Sequence, residues 1–181
     1  SSIRICGTYG DPPTTAAPTT TPGPVSGMYL SWLDNSEVLI PDSDPETLAY
    51  RIRRTNRDPE WVETALHDPI LRGRALIASA KHGRYFWSDG PAGIVYSVAF
   101  DGTDIRAEVT GVPGPYGLAL DEATDRLFIV ARDQNAVVQA TVGTDSFTTI
   151  VTDILAPLGI MYAGENMLYL TAADKIYAAT T

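Results

Sequence analysis

The sequence contains a single cysteine, Cys6, which excludes an internal disulfide framework and a thiolate zinc site. Two histidines, His67 and His82, are too few for a histidine-based metal centre. No apolar run approaches the roughly 18–20 residues that cross a bilayer as a helix, so membrane insertion is not expected. Basic residues are scarce: 13 Lys and Arg stand against 22 Asp and Glu, a formal net charge of −9. Such a chain lacks the basic face that nucleic-acid phosphates or an anionic membrane surface require. None of Asn35, Asn56, Asn135 and Asn166 opens an Asn-x-Ser/Thr sequon, so N-linked glycans are not expected. The chain begins at Ser1 with no Met and no signal peptide, as expected of a processed chain.

What is present suits a folded body. Of 181 residues, 44% are hydrophobic and 19% charged, enough to bury a core in one domain with an extension. Residues 1–10, SSIRICGTYG, alternate Ile3, Ile5 and Thr8 with Arg4 and Cys6 and end near Tyr9, which predicts a short strand. Residues 11–25 hold Pro12, Pro13, Pro18, Pro22 and Pro24, a density that predicts an extended, polyproline-like tether. At about 3.1 Å per residue that tether spans roughly 45 Å, about the width of the body it joins. Thr14, Thr15, Thr19, Thr20 and Thr21, set among Pro and Ala, match mucin-type O-glycan acceptors. No other cofactor is expected.

Residues 26–181 form an internal repeat. Four segments align: GMYLSWLDNSEVLIPD from Gly27, GRALIASAKHGRYFWSD from Gly73, GLALDEATDRLFIVARD from Gly117 and GIMYAGENMLYLTAAD from Gly159. Their glycines are 46, 44 and 42 residues apart, and each is followed after 15 or 16 residues by Asp42, Asp89, Asp133 or Asp174. Each repeat reads strand, polar turn, second strand, turn, third strand. The third strands begin at Leu48, Ile94, Val137 and Ile176, with turns such as Asp101-Gly102 closing hairpins. A fourth strand follows in three repeats: WVETAL from Trp61, IRAEVTGV from Ile105 and FTTIVTDI from Phe147. Four antiparallel strands per roughly 40–46 residues is the blade of a β-propeller. The expected class is therefore all-β, a four-bladed propeller-like body.

The stretch Tyr85-Phe-Trp-Ser-Asp89, followed by IVYSVAFDG from Ile94 and PYGLALD from Pro115, resembles the YWTD repeat of low-density-lipoprotein-receptor propellers. More loosely it resembles NHL and gluconolactonase-type propellers. The YWTD resemblance implies that Asp42, Asp89, Asp133 and Asp174 make structural hydrogen bonds between blades rather than a central metal site. YWTD propellers usually have six blades; four could close as a smaller ring or stand as an open stack.

The fourth repeat stops at Thr181, after its third strand, so its outer strand is missing and residues 176–179 (Ile176, Tyr177, Ala178, Ala179) would form a free edge. The strand of residues 2–9 has the length and alternation of the missing piece. Because a stiff tether suits reaching out better than folding back, donation to a neighbouring subunit is favoured over closure of the chain's own blade. Each subunit would then give and accept one strand, a head-to-tail contact that propagates as a filament. The leading expectation is an extracellular, self-assembling structural subunit anchored by Ile3 and Ile5. The alternative is a monomeric propeller that binds a protein or glycan with the arm docked at home.

Catalysis is not expected. A lactonase of the gluconolactonase type would need a convergent Glu/Asn/Asp set, and Asn135, Glu165 and Asn166 fall in separate turns. His67 and His82 lie outside any G-x-S-x-G motif and are expected at the surface. Arg51, Arg53, Arg54 and Arg57 are flanked by Glu46, Asp58, Glu60 and Glu63, which predicts a solvated, salt-bridged edge. Trp32, Trp61 and Trp87 occupy strand positions and are expected in packing between blades.

Overall fold

A computed structural model describes the backbone of residues 31–32, 37–43, 50–56 and 64–70, and residues 73–173 and 175–181 with their side chains. Several predicted features lie outside the described residues: the arm 1–10 with Ile3, Arg4, Ile5, Cys6, Thr8 and Tyr9, the tether with its five threonines, Asp174, and the side chain of Asp42.

Among the described residues fifteen strands form four antiparallel sheets, each built from strands consecutive in the chain. The first blade is β1 (Ser31–Trp32), β2 (Glu37–Ser43), β3 (Tyr50–Asn56) and β4 (Thr64–Ile70). The second is β5 (Gly73–Ser79), β6 (Arg84–Asp89), β7 (Ile94–Ala99) and β8 (Arg106–Val109). The third is β9 (Pro115–Asp121), β10 (Arg126–Ala131), β11 (Ala136–Thr141) and β12 (Phe147–Val151). The fourth holds three strands, β13 (Ile160–Tyr162), β14 (Met167–Thr171) and β15 (Ile176–Thr180). This is the propeller-like architecture, with a three-stranded last blade. In the first blade β3 and β4 hold the third and fourth strands that the sequence predicts from Leu48 and Trp61, and residues 44–49 and 57–63 lie outside the described residues.

Strand registers set the repeat more finely than the glycines do. Ser79 pairs with Arg84 in blade 2 and Asp121 pairs with Arg126 in blade 3, so equivalent positions stand 42 residues apart. Asp89 faces Ile94, and its equivalent Ala131 faces Ala136. Asp133 therefore lies two positions further on, in the short 3₁₀ turn Arg132–Gln134.

The core lies between blades. Phe86, Val95 and Val109 of blade 2 pack against Leu118, Leu127, Ile129 and Val138 of blade 3. Phe128, Val130 and Val137 of blade 3 pack against Leu168 and Leu170 of blade 4. On the other face of blade 2, Leu76, Tyr85, Trp87 and Val98 form a third cluster, and Trp87 stacks on Tyr96 with ring centroids 5.4 Å apart. Alternation along a strand sends successive side chains to opposite faces, so a blade covered on both sides needs apolar residues at every position. The strand β6 is buried along its whole length, with apolar Tyr85, Phe86 and Trp87 flanked by the hydrogen-bonded polar residues Arg84, Ser88 and Asp89, and β10 is apolar at all but Arg126. Each fully buried side chain of this size contributes about 1.5–3 kcal/mol.

Candidate functional site

The fourth blade differs from the others at its edge and on one face. Its sheet order is β13, β14, β15, so β15 is the outermost strand and carries no ladder partner on its outer side among the described residues. That edge holds Ile176, Tyr177, Ala178 and Ala179, the residues the sequence predicts there. The hairpin between β13 and β14 closes tightly, with the Met167 N–H donating to the Gly164 carbonyl at 2.8 Å. Glu165 and Asn166 take φ of 49° and 59°, the left-handed pair that a type I′ turn requires.

That hairpin aligns MLYLTA of blade 4 (Met167 onward) with RLFIVA of blade 3 (Arg126 onward) and RYFWSD of blade 2 (Arg84 onward). Leu168 and Leu170, the positions of Leu127 and Ile129, are buried against blade 3. Between them Tyr169 holds the position of Phe128 and Phe86, and faces the other way. Both phenylalanines are fully buried by the blade that follows, whereas Tyr169 is 40% exposed. On the third strand Ile176 stands where Val95 and Val137 are fully buried, and is 72% exposed. On the first strand Met161, which pairs with Tyr169, is 56% exposed. Ala178 faces Tyr169 across the second ladder, so Met161, Tyr169 and Ala178 run in one row across the sheet. Among the described residues no neighbouring blade covers this face. Sequence reasoning found the edge and missed the face, although the shared R/M-x-aromatic pattern carries the signal.

Polar ties join the blades at their turns. Lys81 and His82, in the β5–β6 turn, both reach Asp125 in the β9–β10 turn at 2.7 Å. Hydrogen bonds from Lys81 and His82 hold the Asp125 carboxyl below the usual carboxylate range. His82 is thus a half-buried bridge between blades, not the ordinary surface histidine that its turn position suggested. The Ser79 hydroxyl lies 2.5 Å from Glu122 and donates to it, and only the His82 backbone N–H approaches Ser79, so Ser79 and His82 do not form a nucleophile and base pair. Arg126 repeats the tie one blade on: it bonds Asp121 at 2.9 Å within blade 3, and Asn166 at 2.8 Å and Thr181 at 3.1 Å in blade 4. Hydrogen bonds from Thr124 and Arg126 pull the Asp121 carboxyl down to about 2.

The predicted blade aspartates occupy distinct settings. Buried Asp89 accepts the Ala92 N–H at 3.2 Å inside its own turn. Exposed Asp133 lies against Gly114, where an added Cβ would sit 2.6 Å from its carboxylate. A stitch between blades comes instead from Ser88, whose hydroxyl donates to the Tyr116 carbonyl at 2.5 Å and accepts the Ala75 N–H at 3.0 Å. Asn135 bonds the Ala156 N–H at 2.9 Å while Asn166 serves Arg126, so the two asparagines are not brought together. Among the described residues no group of three or more His, Cys, Asp or Glu could hold a metal ion, and no helix is long and apolar enough to cross a membrane.

The inner strands β5, β9 and β13 line a shallow groove of about 460 Å³ with Ile77, Leu118, Leu120, Met161 and Tyr162, and with Glu122 at its rim. The groove mixes aliphatic side chains with a larger share of polar surface, and its one carboxylate is already engaged by Ser79.

No protein-family model matches the sequence, and no curated protein matches it either. Solved structures do resemble the fold. A chain of a nidogen/laminin complex superposes with a TM-score of 0.71 at 19% identity, over 83% of this chain and 58% of that one. A streptogramin B lyase superposes at 0.64 with 12% identity, over 84% and 53%. The virginiamycin B lyase of Staphylococcus aureus does so at 0.61 with 17% identity, over 90% and 58%. The chain thus spans little more than half the length of these neighbours. Lyases and a nidogen/laminin complex stand side by side among them at under 20% identity, so the likeness establishes a β-propeller fold and carries no activity with it.

Proposed function

We propose that this chain is a structural assembly module of the propeller type, which joins neighbouring subunits through its incomplete last blade. The observation that carries the reading is the fourth blade, whose strand β15 has no ladder partner on its outer side among the described residues. Residues 2–9 have the alternation and length of a fourth strand, and the Pro-rich tether of residues 11–25 gives it reach. Backbone hydrogen bonds along β15 would supply the affinity, and Ile3 and Ile5 would fill side-chain positions on the completed blade. The YWTD-like repeat, an extracellular setting and O-glycans on the tether belong to the same proposal, as does head-to-tail growth into filaments. Negative-stain electron microscopy of the full chain beside a version lacking residues 1–24 tests it. Assemblies from the full chain alone support strand donation; identical particles from both refute it.

A second reading rests on the groove along β5, β9 and β13. Its aliphatic side chains set among polar surface suit a small amphipathic ligand or a side chain of a protein partner, which would make the chain a binding module. Leu120→Glu would abolish such binding without touching β15.

A further inference from the structure

Five arginines fall among the residues described with their side chains, and their partners divide them. Arg84 and Arg106 pair with Asp104, and Arg126 pairs with Asp121. Arg74 and Arg132 have no carboxylate within ion-pair distance among the described residues, although acidic residues outnumber basic ones in the chain by 22 to 13. Both lie instead against one ring: the guanidinium carbons of Arg74 and Arg132 stand 5.4 and 5.0 Å from the Tyr116 centroid. Like charges gathered in one neighbourhood repel, and a bound anion relieves that repulsion.

The backbone fixes this arrangement. Arg74 and Tyr116 are the second residues of β5 and β9, at equivalent positions in successive blades. The Arg74 stem lies over Gly90, where an added Cβ would stand 3.5 Å from its Cγ and Nε. The Arg132 backbone N–H donates to the Gly114 carbonyl at 3.1 Å, and buried Tyr116 packs with Ile154. The loop after β12 lies alongside. Ile154 and Ala156 donate their backbone N–H groups to the Asn135 carbonyl at 3.0 Å and to its side-chain oxygen at 2.9 Å. Between them Leu155 is 66% exposed, bracketed by Asp153 and Ala156 at φ of 63° and 49°. Left-handed backbone is costly at an alanine, so the loop holds Leu155 outward against local strain. The adjacent carboxylates are otherwise placed: that of Asp133 lies against Gly114, and that of Asp153 takes the Thr152 hydroxyl at 2.9 Å.

We infer that Arg74 and Arg132 form a carboxylate site for a partner protein, which docks an acidic residue on them and an aliphatic neighbour on Leu155. A guanidinium fork matches a planar carboxylate with two parallel hydrogen bonds. Stacking on Tyr116 orients each fork without using its N–H donors. Charge decides the class of partner. With a net charge of −9 the chain repels polyanions, whereas a carboxylate on an otherwise apolar segment answers only to the two nearby cations. A sulfated glycan, with its repeated charges, is disfavoured on that ground. The site lies at the starts of β5 and β9, not on the outer edge of β15, and so stands independently of strand donation.

The test is fluorescence anisotropy of a labelled, end-capped hexapeptide of alternating leucine and glutamate, titrated with the full chain in about 50 mM salt. A leucine–glutamine hexapeptide serves as control, since it would add to a sheet edge equally well. The variants are Arg74→Gln, Arg132→Gln, Arg132→Lys and Leu155→Asp. The expected result is saturable binding by the native chain, about tenfold weaker for the glutamine peptide and for each of Arg74→Gln, Arg132→Gln and Leu155→Asp. Arg132→Lys keeps the charge without the fork and should recover only part of the loss. Salt at about 0.5 M should weaken the complex severalfold. No binding at about 500 µM chain, equal affinity for the two peptides, or indifference to both glutamine variants would overturn the site. So would a sulfated oligosaccharide that competes more strongly than the glutamate peptide. Arg132 and Leu155 are exposed, so their variants decide the matter if Arg74→Gln fails to fold.

Discussion

Blades 3 and 4 are built from closely similar second strands, RLFIVA and MLYLTA, yet they meet different surroundings. In blade 3 the strand is buried along nearly its whole length, because another blade lies on each side. In blade 4 the pattern alternates buried and exposed along the strand. Local sequence alone does not decide burial here. The same alternation of apolar residues is a core when both neighbours are present and a surface when one is missing. A blade is thus a unit whose energetics depend on its neighbours, as in other stacked repeats.

The sharpest test of that contrast pairs Phe128→Ala with Tyr169→Ala, at concentrations where the chain is monomeric. Phe128 is fully buried, so its truncation should cost about 3–5 kcal/mol in urea unfolding, whereas truncating exposed Tyr169 should cost under about 1 kcal/mol. Equal losses would show that blade 4 is covered on both faces in solution. Next in size is the close approach of the two blades. An added Cβ at Gly117 would stand 2.4 Å from the Leu158 carbonyl oxygen, so Gly117→Ala should force β9 and the chain before β13 apart at a cost of about 1–3 kcal/mol. A wild-type melting temperature for Gly117→Ala would mean that the blades are not held this closely.

The Asp121 carboxyl gives a smaller, pH-dependent effect. Its depressed value means that its contribution is complete above about pH 4 and is lost as pH falls toward about 2. Asp121→Asn should therefore lose up to about 2 kcal/mol at neutral pH and become less sensitive to acid across that window. Parallel acid profiles for the two proteins would exclude Asp121 as the source. The least of these effects is the tie from Arg126 to Asn166. A double-mutant cycle with Arg126→Ala and Asn166→Ala should give a coupling of about 0.5–1.5 kcal/mol, and a coupling near zero would leave apolar packing as the whole of that junction.

Much of the architecture is legible in the residues. Strands rich in Val, Ile and aromatics, the Asp101-Gly102 turn and a repeat of 42 to 46 residues predict stacked four-stranded blades. The register is less legible. Aligning on Gly73 and Gly117 places Asp89 and Asp133 together, but the ladders separate them by two positions, because glycines recur for unlike reasons. At Gly117 the cause is the approach of the Leu158 carbonyl. Bridges such as His82 to Asp125, or buried Glu108 to the Gly143 N–H at 3.1 Å, join residues about 35 to 43 positions apart and exist only once hairpins stack. The exposed face was hidden for a simpler reason: Tyr169 and Ile176 are ordinary core residues by type, and nothing among the described residues lies over them.

Every ladder in the described sheets joins strands that follow one another along the chain. Hairpins of this kind close short loops, so the entropy lost before each new contact forms is small, and the chain can fold blade by blade without waiting for its ends to meet. Amide protons then report the order of the stack. Those of β10, enclosed on both sides, exchange only when the whole domain opens, while those of β15 exchange through the fraying of a single strand.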